Sequence, residues 1–414
     1  MSSHIAIFGA GLSGQAAMKL AKTEGHQATL FDEMGGGVEA AFGHSQVEQF
    51  ERFIFSPGFA AGHPWRVLAE QSGKLVQSEL SFAAEYWQGQ LIGVTGTNGK
   101  TTLTRLLAEA LQRSGQDAVA AGNIGRPLSD VVLRNDGAES ACAVCEISSF
   151  QAELVKGLEL DGLLWTNFAE DHLDRYPTMA DYFMAKANLL DCLKPDGICV
   201  IGPQVVPWLE RFKRPFDRAA VSPDVSPLLS RLPSTAALCR PPYSENFSLA
   251  AEYWRLSQLP EEPMLEAAAE FTLAPHRLSV VAAKDGVTYW NDSKSTNFHS
   301  ALAAFEAMDG PIVWIGGGQL KGGDLEAFAS KVSERVDVAV LYGEAAPSLA
   351  KALEGKLPNV RKVALFEEAV RVASESAYEL RPASVLLSPA FSSFDQFQSY
   401  EMRGKSFISL VLGL

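Results

Sequence analysis

No stretch of the chain supplies the roughly 18 consecutive apolar residues that a membrane-spanning helix needs. The first residues also lack the basic stretch followed by a long apolar run that marks a secretory signal. Positive charge is scarce: 35 Lys and Arg stand against 49 Asp and Glu, a formal net charge of −14. Phosphate backbones attract stripes of Lys and Arg, and none is visible, so nucleic acid is not an expected partner. Cysteine is sparse. The five residues Cys142, Cys145, Cys192, Cys199 and Cys239 are odd in number and share no framework spacing. That argues for reduced thiols and a cytoplasmic protein. Cys142 and Cys145 form a C-x-x-C, but within Ala-Cys-Ala-Val-Cys-Glu-Ile, an apolar run that reads as a buried strand rather than a metal or redox site. Low-complexity segments and short-period repeats are lacking too.

What is present is ordinary for a globular enzyme: 47% hydrophobic and 20% charged residues in 414, enough chain for about three domains. Apolar strands alternate with helical segments of ten or more residues, which predicts an α/β protein with parallel sheets. His4–Phe8, Ala28–Asp32, Phe53–Phe55 and Lys74–Gln77 read as strands of a first unit. A second opens at Leu91–Thr95 and continues through Ala143–Ile147, Gly162–Thr166 and Ile198–Ile201. A third carries Leu278–Ala283, Ile312–Gly316, Val336–Leu341 and Val385–Leu387. The expected boundaries are 1–88 for an N-terminal Rossmann-like domain, 89–274 for a central P-loop domain, and 275–414 for a C-terminal Rossmann-like domain.

The most informative segment is Gly93-Val-Thr-Gly-Thr-Asn-Gly-Lys-Thr-Thr102. It follows an apolar strand and opens a helix, the context a phosphate-binding loop requires. Glycines let the backbone fold around phosphates, and the helix N-terminus adds partial positive charge. Gly93 lies one residue too early for the usual loop pattern, but the Gly-Lys-Thr end is intact. Lys100 is placed to reach the β- and γ-phosphates, and the Thr101 hydroxyl to hold Mg²⁺. Near the N-terminus, Gly9-Ala-Gly-Leu-Ser-Gly14 also follows a strand and opens a helix, with Asp32 ending the next strand. Taken alone this is a dinucleotide fingerprint, so a nicotinamide-dependent oxidoreductase is one reading.

Gly96-Thr-Asn-Gly-Lys-Thr-Thr102 resembles the ATP loop of the Mur ligases and their folylpolyglutamate synthetase relatives. Gly122-Asn-Ile-Gly125, Glu146-Ile-Ser-Ser-Phe-Gln151 and Thr166-Asn-Phe-Ala-Glu-Asp-His-Leu-Asp-Arg-Tyr-Pro177 agree in the family's order, and the resemblance covers nearly the whole chain. It implies an ATP-dependent ligase that forms an amide through an acyl phosphate. ATP would be bound by Gly96, Thr97, Asn98, Gly99, Lys100, Thr101 and Thr102, with Asn246, Arg277 and Asp292. Two Mg²⁺ ions are implied, at Thr101, Glu146, His172 and Lys186. The matching family lysine carries a carbamate, although by pattern alone Lys186 is one exposed helical lysine. Lys100, His172, Lys186 and Lys294 are the implied catalytic residues. Leu12, Ser13, Asp32, Gly58, Asn123 and Ser148 match positions that hold a uridine diphosphate substrate. Glu33-Met34 stands where relatives often carry an Arg after the acidic residue.

Ser388-Pro-Ala-Phe-Ser-Ser-Phe-Asp-Gln-Phe397 resembles the D-glutamate-adding branch. Thr296, Lys321, Ser393 and Tyr400 are then the expected D-glutamate contacts, and UDP-N-acetylmuramoyl-L-alanine the expected acceptor of that amino acid. Another amino-acid substrate within the family is the nearest alternative. Ser293 and Thr296 are also candidate caps for a helix beginning near Asn297. One departure stands out: Glu245 and Leu249 replace a family His and a second Asn, while Asn246 remains. A monomer without membrane contact is expected.

Overall fold

The computed structural model describes residues 3–35, 38–135, 139–320 and 322–414. By internal contacts the chain forms two compact units. One comprises 1–168, 180–238 and 244–271, the other 169–179, 239–243 and 272–414. Among the described residues no helix is long and apolar enough to cross a membrane.

The first unit holds two sheets. In one, β1 (His4–Phe8), β2 (Gln27–Phe31), β3 (Arg52–Phe55) and β4 (Leu75–Ser78) lie in the order β2-β1-β3-β4, all parallel. An aromatic cluster fills one face: the Phe8 and Phe55 rings stack 4.1 Å apart, with Phe31, Phe42, Phe53 and Trp65 around them. The other sheet comprises β5 (Gln90–Thr95), β6 (Asp117–Gly122), β7 (Ala141–Glu146), β8 (Leu160–Trp165), β9 (Leu193–Ile201) and β10 (Ala219–Val221). Their order is β10-β9-β8-β5-β7-β6, again parallel. Helix Lys100–Arg113 turns Leu103, Leu106, Leu107, Ala110 and Leu111 inward, the spacing of one buried helical face. All six residues of β7 are buried. Burial pushes the Cys142 thiol up to about 12 and raises that of Cys145 further, so the C-x-x-C is core.

The second unit holds β11 (Ser279–Lys284), β12 (Val287–Asn291), β13 (Ile312–Gly317), β14 (Val338–Tyr342), β15 (Val360–Lys362) and β16 (Ala383–Ala390). Their order is β11-β12-β16-β13-β14-β15. Alternation of period two sends Ile312, Trp314 and Leu386 to one core and Val313, Ile315, Val385 and Leu387 to the other. The sheets are parallel as expected, except at one edge of this one. β11 and β12 pair antiparallel, because Asp285 (φ 51°) and Gly286 (φ 80°) make a two-residue turn of the left-handed kind.

Candidate functional site

In an open parallel sheet, ligands collect at the strand ends where neighbouring strands send the chain in opposite directions. In the six-stranded sheet of the first unit those strands are β5, which leads to β6, and β8, which leads to β9 on the other side. The carboxyl end of β5 runs through Gly96–Gly99 into helix Lys100–Arg113. The loop is fixed from outside: the Asn98 N–H donates to Asn167 Oδ1 (2.9 Å), and the Thr166 hydroxyl donates to Asn98 O (2.6 Å). Gly99 sits at φ +84°, and a Cβ there would lie 2.3 Å from Asn246 Oδ1. Asn246, on helix Tyr243–Leu256, therefore packs directly on the loop. Lys100 Nζ folds over it, donating to Gly96 O (3.0 Å) and Thr97 O (2.8 Å).

Glu146 ends β7, 3% exposed. Its Oε2 accepts from the Thr101 hydroxyl at 2.8 Å, and its Oε1 accepts from Asn123 Nδ2 at 3.1 Å. A carboxylate and a hydroxyl at the mouth of a phosphate loop are the hard oxygen donors that suit Mg²⁺. Three residues expected at the site thus meet at one carboxylate. Ser148 caps the short helix Ser149–Ala152 by a reciprocal pairing with Gln151.

Lys186 corrects the pattern-based reading. It is 1% exposed on helix Met179–Asp191 and donates from Nζ to Gly96 O at 2.8 Å, above the Tyr182 ring at 5.0 Å. Tyr182 in turn bonds the Thr97 hydroxyl at 3.2 Å. The lysine belongs to the phosphate loop, ninety residues away in sequence.

In the four-stranded sheet the corresponding turn leaves β1. Gly14 packs so closely that a Cβ would lie 1.7 Å from Gly9 O. Asp32 ties the turn down: its Oδ2 accepts from Ala10 N (2.7 Å) and its Oδ1 from Met34 N (2.9 Å). These two bonds, Ala10's first, hold its carboxyl below the ordinary range. Helix Leu12–Thr23 has no side-chain cap, and Leu12 and Met34 are exposed. Gly58 is open, with nothing within 4 Å of a would-be Cβ.

In the second unit β12, β13 and β16 run parallel, so the loops after all three emerge at one edge. That gathers Asp292, Lys294 and Thr296 with Ser388 and Ser393. Lys321 lies outside the described residues. Asp292 is buried, and burial pushes its carboxyl up to about 7. The Ser388 hydroxyl (2.9 Å) and Leu278 N (3.1 Å) donate to it, and Arg277 also opposes the shift. Arg277 Nε is buried with no hydrogen-bond partner among the described residues, an orphaned donor that an anionic ligand would satisfy. Lys294 Nζ stands 5.1 Å from the centre of the Tyr400 ring. The helix cap is Asn297, which accepts from Ser300 N at 2.9 Å. Ser293 instead donates to Tyr400 O, because the chain turns once more before the helix starts.

His172 (φ 57°) belongs with this unit. With Asp171, Thr296, Asn297, Gly322 and Phe391 it lines a shallow, open cavity, across which Asn297 Nδ2 donates to Asp171 Oδ2 at 2.9 Å. Among the described residues no group of three or more His, Cys, Asp or Glu is assembled for a metal. Sequence reasoning missed Arg403. It is fully buried and donates to Ser293 Oγ and O, Phe391 O and Tyr342 OH, so it holds two of the three loops. An arginine in an amphipathic helix gives no signal of that role. At the departure, Leu249 is buried and Glu245 half-buried, its carboxyl raised first by burial and then by Asp224.

A family model for the Mur ligase middle domain matches residues 94–220, and one described as "Mur ligase, glutamate ligase domain" matches residues 276–391. A protein of Synechocystis sp. named UDP-N-acetylmuramoylalanine--D-glutamate ligase is 32% identical over 448 residues, covering 99% of each chain. Among solved structures, the UDP-N-acetylmuramate-alanine ligase of Thermotoga maritima superposes with a TM-score of 0.60 at 14% identity, covering 99% of both chains. A MurF ligase of the same organism, in complex with ADP, gives 0.58 at 15% identity, covering 100% of this chain and 94% of its own. At such identities the structural likeness speaks for the fold.

Proposed function

The chain belongs to the Mur ligase family, and from that premise we propose that it is an ATP-dependent ligase that adds D-glutamate to UDP-N-acetylmuramoyl-L-alanine, a step of peptidoglycan precursor synthesis. The observation that carries the chemistry is the convergence of Lys100, Thr101, Glu146 and Lys186 on one glycine loop at the end of β5. The observation that carries the substrate is full-length similarity to D-glutamate-adding enzymes.

In this reading a carboxylate oxygen of the alanyl group attacks the γ-phosphorus of ATP in line, and the bond to the β–γ bridging oxygen breaks to release ADP. Loop N–H groups and the Lys100 ammonium hold the phosphates as charge shifts between them. Thr101 and Glu146 are the residues that would hold Mg²⁺, which neutralises phosphate charge when bound. The amine of D-glutamate then adds to the acyl carbon, and collapse of the tetrahedral species expels phosphate and leaves the amide. In the second unit Arg277 and Asp292 are assigned to the nucleotide, Lys294 to the phosphates, and Thr296, Lys321, Ser393 and Tyr400 to the amino acid. Leu12, Ser13, Asp32, Gly58, Asn123 and Ser148 are assigned to the nucleotide sugar. The four-stranded sheet around β1 is one half of a dinucleotide fold, which suits a single nucleotide diphosphate better than NAD.

The proposal includes domains at 1–88, 89–274 and 275–414, a second Mg²⁺ ligated by His172, a carbamate on Lys186, a monomeric state and a cytoplasmic location. Phosphate release from ATP with UDP-N-acetylmuramoyl-L-alanine tests it, with D-glutamate, L-glutamate, L-alanine and meso-diaminopimelate offered separately. Release with D-glutamate alone is expected. Release with another of these would overturn the amino-acid assignment.

A further inference from the structure

The N-terminal cradle and the Ser148 segment belong to different sheets of the first unit, yet the proposed reading asks both to hold one nucleotide sugar. Their separation must be fixed for that. Arg66, on helix Pro64–Gln71, stands between them, 5% exposed. Its Nη1 donates to Glu153 and to Phe59 O (3.3 Å), and its Nε donates to Glu70 Oε1 at 2.9 Å.

One end of this clip leads into the cradle and the other into the Ser148 segment. Phe59 directly follows Gly58, and its ring is held against Trp65 and Phe55 with centroids 6.0 and 5.6 Å away. Glu153 lies one turn beyond the Ser148–Gln151 capping pair, its N–H donating to Ser149 O at 3.1 Å. The next residues are stitched to the four-stranded sheet's side as well. Leu154 O accepts from Ser78 N (2.8 Å), and Lys156 O accepts from Gln77 Nε2 (2.9 Å). Those are neutral bonds at the end of β4. Arg66 adds a charged bond, and it reaches the Gly58 loop.

We propose that Arg66, through Glu153, is a positioning residue that sets the spacing between the Gly58 loop and the Ser148 segment, and so the affinity for the nucleotide-sugar substrate. The inference rests on the proposed reading of both segments. A planar guanidinium suits the task, because its fixed fork meets two carboxylates and a carbonyl together, which an ammonium on a flexible stem does not. The bonds of the clip run to Glu70, the Gly58 loop and the Ser148 segment, on the nucleotide-sugar side, so ATP handling should be indifferent to it.

The test is steady-state kinetics on the full chain for Arg66→Gln, Glu153→Gln and the double variant. The KM for UDP-N-acetylmuramoyl-L-alanine should rise about tenfold in each single variant, from misplacement of one wall of the site. The KM for ATP and kcat at saturation should stay within about twofold. The double variant should be little worse than either single one, as expected when two substitutions break one interaction. If Arg66→Gln does not fold, Glu153→Gln carries the test, since it keeps an acceptor for Nη1 and removes only charge. Unchanged nucleotide-sugar KM overturns the inference, as does a uniform loss in both KM values and kcat, which a merely structural clip would give. A wild-type enzyme that releases no phosphate with this substrate would instead overturn the underlying reading.

Discussion

Replacing Gly99 with Ala probes the phosphate loop at its tightest point. At φ +84° a side chain is strained, and a non-glycine residue in that region costs roughly 1–2 kcal/mol. The new methyl also collides with Asn246 Oδ1, 2.3 Å from the ideal Cβ. Turning that amide off its preferred rotamer adds about 0.5–1.5 kcal/mol. The sum is about 1.5–3.5 kcal/mol. The loop escapes this strain by leaving the conformation that binds phosphates, so ATP must drive it back. At about 1.4 kcal/mol per tenfold, ATP affinity should fall about 10- to 300-fold. In an Asn246→Ala background the collision is gone and only the backbone strain remains, so the loss caused by Gly99→Ala should be up to about tenfold smaller there than in the wild-type background. Isothermal titration of ATP against wild type, both single variants and the double variant reads all of this. Binding by Gly99→Ala within about twofold of wild type would refute the loop geometry. An equal Gly99→Ala loss in both backgrounds would refute the packing of that helix on the loop.

Glu146→Gln keeps an acceptor for Thr101 but loses the charge, so turnover should fall by about 10²- to 10³-fold, with a higher Mg²⁺ requirement measured by titration of the metal. Asp292 binds its proton more tightly when folded, at about 7 against an ordinary 3.8. The stability this confers is full below pH 3.8 and lost as pH rises through about 7, on the order of 4 kcal/mol in all. Asp292→Asn should flatten that part of the unfolding-against-pH curve, and an unaltered slope would count against the burial of the carboxyl. Burial raises the thiols of Cys142, Cys145, Cys192 and Cys199. A thiol reagent at pH 8 should therefore leave these four unmodified until the protein unfolds. If Lys186 carries a carbamate, ¹³C-labelled bicarbonate should give a carbamate resonance that Lys186→Met lacks.

What the sequence reveals follows how local the cause is. The two glycine turns are legible because glycines crowd a strand-to-helix turn within a few residues, as at Gly14 against Gly9, although Gly99's close approach is to distant Asn246. Glu146 is readable as a strand-end carboxylate for the same reason. Lys186 is not, since its burial depends on a loop ninety residues earlier. β6 escapes notice because Asp-Ala-Val-Ala-Ala-Gly is short and weak in strand formers. The β11–β12 hairpin had a local signal in Asp285-Gly286 that strand alternation alone overlooks. The cap at Asn297 was ambiguous among neighbouring polar residues that all cap well. Arg403 and Arg66 act through contacts far apart in sequence, and charge patterning cannot reach those.

The central claim is that ligation passes through an acyl phosphate formed at the β5 loop. It is tested most directly by labelling the alanyl carboxylate of UDP-N-acetylmuramoyl-L-alanine with ¹⁸O and analysing the phosphate released in the presence of ATP and D-glutamate. If the carboxylate attacks the γ-phosphorus, one labelled oxygen must leave with each phosphate, and the account predicts that transfer. Phosphate that carries no label while the amide product still forms would contradict it.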